Sequence, residues 1–307
     1  MDKIQLGRRQ LLKRALQLSA AATAATAFPG CALLGGGEPY RLSLAQWSLH
    51  RRFFGGDADP REFAQIARRE FDIDGIEYVN QFYKETLSDR LIADLRNRAA
   101  GEGVQSLLIM VDGEGALGAP DEKAREQTVD NHKKWADAAH QLGCHSIRVN
   151  AQSEGSYDEQ KQRAADGLVK LAEYCEPLGL NVLVENHGGL SSNARWLSQV
   201  METAKHPRVG TLPDFGNFVI DRETGEEYNR YRGVRELMPY AKAVSAKSYA
   251  FNEQGQETTI NFQRMMDIVL AVGYSGWVGV EYEGDKHSEA EGIRLTRDLL
   301  LDIKATV

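Results

Sequence analysis

Three carboxylates stand where apolar runs give out. Glu185 closes "NVLVEN", Asp214 follows "VGTLP", and Glu281 ends "GWVGVE". A lysine, Lys247, sits inside "AVSAKSY", a run of small and β-branched residues that otherwise reads as a buried strand. A buried charge is costly unless an opposite charge meets it. Three carboxylates held close together cannot all stay ionised alone; they need a divalent cation, a buried lysine or arginine, or raised pKa values. An oxygen-rich set suits Mn²⁺, Mg²⁺ or Co²⁺, and a histidine among the donors extends the choice to Zn²⁺. The plainer alternative is a set of structural salt bridges, since such networks also gather charges.

Other polar side chains follow the same placement. Gln46, Trp47, Ser48 and His50 come at the end of a first apolar run, Glu77 and Asn80 in a second, Asp112 and Glu114 at the end of a third. Arg148 and Asn150 end a fourth, Asn186 and His187 extend the run of Glu185, Asn217 follows Asp214, and Glu283 follows Glu281. Singly, each has an ordinary reading. Trp47 reads as core packing or as a surface for a sugar face. Arg148 reads as a counter-ion to Glu185 or as an anion contact. His187 shares side-chain parity with Glu185, which points it at the same place as a ligand or substrate contact. His132, His140 and His206 fall on helical stretches and read as surface residues, and His145 precedes a strand.

The elements that must carry these groups alternate. Strands are expected at 41–49, 73–80, 104–112, 146–150, 181–186, 209–215, 243–249 and 276–284, with helical segments of three- and four-residue apolar spacing between them. Asp59 and Pro60 read as a helix start, and Gly143, Gly179 and Gly273 as helix stops. Eight strands alternating with helices predict a single-domain parallel (β/α)8 TIM barrel over 38–307. A doubly wound sheet is the alternative, but the first strand leads into "HRRFFGGDADP", which lacks a glycine-rich phosphate turn. In a barrel the chemistry gathers at the C-terminal ends of the strands, where all eight place a polar group.

Residues 1–37 read as a signal peptide and tether. Arg8 and Arg9 precede an Ala- and Leu-rich run, the form of a twin-arginine export signal, and "FPGC" offers Cys31 for lipidation. The expected location is therefore exported and periplasmic, with a lipoprotein anchor as the variant. Membrane contact is expected only through that segment or a lipid on Cys31. The chain carries a net charge of −7, which falls to −11 once residues 1–31 and their five basic and one acidic residue are removed. Such a chain has no footprint for nucleic acid. Cys144 and Cys175 lack metal-ligand spacing and read as structural thiols.

At "VLVENHGG", "GTLPDFGNF", "AVSAKSYAF" and "GYSGWVGVEYEG" the chain resembles the sugar phosphate isomerase/epimerase superfamily, the xylose-isomerase-like barrels, from about residue 40 to the end. The resemblance implies one divalent metal (Mn, Mg, Co or Zn) on Glu185, Asp214 and Glu281. Ser245 stands where a fourth, histidine ligand is usual. It also implies Glu185 and Glu281 as an acid/base pair that moves a proton on the carbon beside a carbonyl. Asn217 replaces the histidine of a usual Asp-x-x-His pair. Lys247 has two readings: a substrate residue beside a retained metal, or the counter-charge of a metal-free site. The expected function is a sugar isomerase or epimerase acting on a sugar or keto-sugar derivative. The alternatives are a lyase or dehydratase on oxidised (keto) glycosides and a non-catalytic sugar-binding barrel. A small-molecule carbohydrate is the expected partner, with a homo-oligomer left open. Catalysis falls to Glu185, Glu281 and Lys247, and substrate contacts to Gln46, Trp47, His50, Glu77, Arg148, Asn150, His187 and Asn217.

Overall fold

The computed structural model describes residues 38–307, so the expected leader, its tether and Cys31 lie outside the described residues. Eight parallel strands form one curled sheet: β1 (Arg41–Ala45), β2 (Gly75–Val79), β3 (Gln105–Met110), β4 (Ser146–Val149), β5 (Asn181–Glu185), β6 (Val209–Leu212), β9 (Val244–Ser248) and β10 (Trp277–Tyr282). Their order is β6-β5-β4-β3-β2-β1-β10-β9. The two ends of that sheet meet. Lys242 N donates to Thr211 O at 3.1 Å, Ser245 N to Pro213 O at 3.0 Å, and Phe215 N to Ser245 O at 3.1 Å. The curl is therefore a TIM barrel, as the alternation of elements predicts.

Each barrel strand is followed by a helix: Phe63–Phe71, Asp89–Glu102, Glu122–Leu142, Tyr157–Cys175, Ala194–Ala204, Arg230–Leu237, Phe262–Leu270 and Glu289–Lys304. Local chemistry starts them. Side chains of Ser88, Asp121, Ser156, Asn193, Asn229, Asn261 and Ser288 accept from the first-turn backbone, satisfying donors that a helix start leaves over. Asp59 and Pro60 open a single 3-10 turn, Pro60–Glu62, that leads into the helix at Phe63.

Several expected strands run too long. The first ends at Ala45, and Gln46–Leu49 turns off as a 3-10 helix followed by a short helix, His50–Phe54. The turn is pinned by Ser48, whose hydroxyl donates to Val280 O at 3.2 Å and accepts from Tyr282 N at 3.0 Å. The sixth ends at Leu212, because Pro213 has no N–H for the ladder. Beyond it comes an unforeseen hairpin, β7 (Val219–Asp221) with β8 (Glu226–Glu227).

Two apolar layers hold the barrel. One lies between sheet and helices and contains residues such as Trp135, Trp196 and Phe215. The other is a plug of Ala45, Val79, Leu108, Met110, Leu183, Leu212 and Ala243. These residues and the buried charges lie on or next to barrel strands, so the plug backs the polar site with material that cannot solvate it. His132, expected at the surface, is buried at 2% exposure with Nδ1 against Thr128 O at 2.7 Å. One turn of its helix faces the sheet, which single-residue polarity did not reveal. Cys144 and Cys175 are both buried and free.

Candidate active site at the barrel mouth

The carboxylates at the ends of β5 and β10 and the one just past β6 converge. One oxygen each of Glu185, Asp214 and Glu281 lies within 4.8 Å of the others, and all three residues are buried. Two cations come with them. Lys247, 2% exposed, places Nζ 3.2 Å from Glu281 Oε1, 3.0 Å from Glu283 Oε2 and 3.9 Å from Asp214 Oδ2. Arg148 on β4 puts NH1 2.8 Å from Asp112 Oδ1 and Nε 2.6 Å from Glu185 Oε2. That last contact is close in charge but not aligned as a hydrogen bond, so Glu185 Oε2 is a buried acceptor with no donor.

Neutral groups complete the frame. Asn217 Nδ2 donates to Glu185 Oε1 at 2.8 Å, and the Gly216 and Asn217 amides donate to Asp214 Oδ1 at 2.8 and 2.7 Å. Ser245 Oγ lies 2.7 Å from both Asp214 Oδ2 and Glu281 Oε2. A hydroxyl has one hydrogen, so it can donate to one of those carboxylates at a time.

Charge balance follows from these contacts. Burial works to lower the Lys247 pKa, but Asp214, Glu281 and Glu283 outweigh it and hold the ammonium charged. Arg148 is held charged in the same way by Glu185 and Asp112. Burial pushes Glu185 up to about 7 against the pull of Arg148, with Glu281 adding to the rise. Asp214 is pushed up to about 7 by burial against Lys247, with Glu185 and Glu281 contributing. For Asp112 burial acts upward, and Arg148 with the Asn150 hydrogen bond overcomes it, lowering the carboxyl to about 2.

A cavity of about 320 Å³ opens on this cluster. Trp47, Val79 and Met110 form an apolar wall; Asp112, Arg148, Asn150, His187, Lys247, Glu281 and Glu283 form a polar one. A ring with one apolar face and polar edges matches that division. His187 and Asn150 are joined, with Nδ1 3.2 Å from Asn150 Oδ1, and Asn150 Nδ2 donates onward to Asp112 at 2.6 Å.

The structure thus brings together Glu185, Asp214, Glu281, Lys247, Arg148, Asn150, His187, Trp47 and Asn217. Three residues expected to touch substrate stand elsewhere. Gln46 is spent on structure, donating to Tyr83 Oη at 2.7 Å and accepting from Val79 N at 2.9 Å. Glu77 is buried, accepting from Ser43 Oγ at 2.6 Å, and a Cβ added to Gly279 would stand 2.8 Å from its Oε1. His50 lies behind Trp47, stacked on it at 4.7 Å between ring centroids. Asp112 and Glu283, which the sequence marks only as groups at strand ends, also line the cavity. Glu283 lies two residues past Glu281, and that parity was the signal available for it.

The donor set fits a metal ion. It offers three buried carboxylates and one oxygen that lacks a donor. Lys247 meets Glu281 through Oε1, whereas Ser245 meets it through Oε2, so the ammonium leaves one oxygen of that carboxylate to other contacts. The donors are oxygens throughout, which suits hard cations.

Residues 65–302 match the family described as the xylose isomerase-like TIM barrel. Among curated proteins, the inosose dehydratase of Geobacillus thermodenitrificans (strain NG80-2) is 24% identical over 198 residues, which is 53% of this chain and 65% of that protein, just under two thirds of its length. Among solved structures, a D-tagatose 3-epimerase-like protein superposes with a TM-score of 0.68 at 16% identity, over 87% of this chain and 98% of that one. An IOLI protein with a bound zinc atom gives 0.67 at 15% identity, over 87% and 98%. At such identities the structural likeness is one of fold.

Proposed function

The chain belongs to the xylose isomerase-like TIM barrel family, and from that premise we propose that it isomerises or epimerises a sugar or keto-sugar by moving a proton on the carbon beside a carbonyl. One observation carries the reading: the buried Glu185–Asp214–Glu281 cluster reaches a largely polar cavity with one apolar wall through Glu281. In this reading Glu281 exchanges the proton with the substrate carbon at the cavity wall. Glu185, in the same buried cluster, is the second carboxylate of the acid/base pair. Glu185, Asp214 and Glu281 would hold a divalent cation, which would supply Lewis acidity toward the substrate oxygens. Lys247 keeps its proton and donates a charged hydrogen bond to an oxygen that becomes negative during proton removal. Arg148 and Asn217 fix Glu185 in place. The leader, in the same reading, sends the enzyme out of the cytoplasm.

A second reading is elimination, favoured by the similarity to an inosose dehydratase. The same proton is removed, and a hydroxyl two carbons from the carbonyl then leaves as water.

Incubating the protein in D₂O with ketoses and 3-keto-glycosides, followed by proton NMR, separates these readings. Deuterium entering beside the carbonyl with the skeleton intact marks isomerisation or epimerisation, while loss of water with a new conjugated carbonyl marks elimination. Glu281→Gln and Glu185→Gln are each expected to slow exchange at least about 100-fold. Sugars that bind without any exchange would leave only a binding protein and overturn both.

A further inference from the structure

A second cavity, of about 340 Å³, shares His187 and Glu283 with the first. It is walled by the loop after β5 and by the hairpin β7–β8, neither of which the proton-transfer chemistry uses. Two unpartnered donors line it. Arg222 is exposed at the hairpin turn and makes no ion pair or hydrogen bond among the described residues. Asp221 fixes that turn, its Oδ1 accepting from Glu223 N at 2.7 Å and Thr224 N at 3.2 Å. Tyr249, two residues past Lys247, presents a hydroxyl that likewise has no hydrogen-bond partner among the described residues. The hydroxyl lies over Gly216, where an added Cβ would come 2.4 Å from it. Gly188, at φ +83° and with open space at its Cβ position, leaves the wall without a side chain.

A single sugar ring has no use for a second cavity of equal size. We infer that the substrate is a two-part glycoside: the reacting sugar fills the first cavity, and the second unit lies in the other with a carboxylate on Arg222 and Tyr249. A guanidinium with no carboxylate of its own, beside a free hydroxyl donor, calls for an acceptor-rich anion. Glu283, the carboxylate among the lining residues, is already matched by Lys247 at 3.0 Å, which leaves Arg222 as the cation facing an incoming anion. This inference rests on the sugar reading above and names the substrate class for the same mouth.

Calorimetric titration with lactobionate and lactitol, and with maltobionate and maltitol, tests it. Each pair shares one skeleton and differs by a carboxylate against a hydroxymethyl group. The acids are expected to bind about tenfold tighter than the alcohols, the usual worth of one charge-assisted hydrogen bond. Arg222→Gln is expected to erase that gap, and Tyr249→Phe to narrow it. The Arg222→Gln arm also separates the guanidinium from any metal ion that a carboxylate could ligate. Equal binding of acid and alcohol, or a gap that survives Arg222→Gln, overturns the subsite and leaves the sugar reading intact. If neither disaccharides nor ketohexoses bind, the sugar reading falls and the subsite with it.

Discussion

Lys247 answers to three acids at once, and its removal is the sharpest test of how the site is balanced. Truncating one member of a buried charge cluster leaves the others uncompensated, at a cost of about 3–5 kcal/mol. Lys247→Met is therefore expected to lose that much stability at pH 7, as read by urea unfolding. Glu283 is held below its ordinary range because Lys247 overcomes the effect of burial. A depressed carboxylate stabilises the fold above its unfolded pKa and loses that contribution as pH falls. The gap between wild type and Lys247→Met should accordingly narrow toward pH 4. A constant gap would mean that Lys247 matters for packing rather than charge. Glu77 shows the opposite sign. Burial, helped by Glu281 and Glu185 against the Ser43 hydrogen bond, pushes it from 4.5 up to about 8. The folded state keeps the proton while the unfolded chain gives it up, so stability falls between those values, by up to about 1.4 kcal/mol per pH unit. Glu77→Gln keeps the acceptor for Ser43 and removes the titration. Its stability relative to wild type is expected to rise from pH 5 to pH 8, and parallel curves would sink the assignment. Nothing in "DGIEYVN" marks Glu77 as inward and deep rather than inward and at the mouth; strand register, including a bulge between Ile76 and Glu77, decides it.

At the scale of elements, the ends of the strands were readable because apolar runs stop where solvent or a site begins. That rule marks Glu185, Asp214 and Glu281, Lys247 is marked instead as a charge inside an apolar run, and the β-strand period of two extends the reading to Glu283 and Tyr249. Where a strand stops for another reason the rule failed. Gln46 and His50 look like strand-end groups, but the chain has already turned at Ala45. The hairpin that carries Arg222, "VIDRETGEE", has short and mostly charged strands, so no apolar alternation announced it. One element contact sets the position of Glu283. A Cβ on Gly284 would lie 1.8 Å from Tyr249 O, so the chains leaving β9 and β10 touch through backbone there. Gly284→Ala must push them apart and carry Glu283 away from Lys247. It is expected to cost more than about 2 kcal/mol in unfolding experiments. A fully stable Gly284→Ala protein would show that the loops are slack and that Glu283 is not held by them.

Over the whole molecule the site concentrates an imbalance that the fold must carry. Arg148 and Lys247 are two cations among Glu185, Asp214, Glu281, Glu283 and Asp112, in a chain already at −7. A divalent cation bound only by the folded state relieves that excess, and it stabilises the fold by mass action, about 2.7 kcal/mol at one hundred times its dissociation constant. For a chain of this size that corresponds to a rise of about 5 °C in Tm. Chelator-treated protein is therefore expected to melt about 5 °C higher once Mn²⁺ is added in excess. Plasma mass spectrometry of protein purified without chelators should find about one divalent ion per chain. Asp214→Asn is expected to abolish both the shift and the bound ion, whatever its own effect on baseline stability. Because the donors are all oxygens, Mn²⁺ and Mg²⁺ should each raise Tm, in line with hard-cation coordination. If neither ion moves Tm and wild type carries no metal, then Arg148 and Lys247 are the whole counter-charge of the cluster. The proton transfer would in that case have to run on Lys247 and Arg148 as its electrophiles.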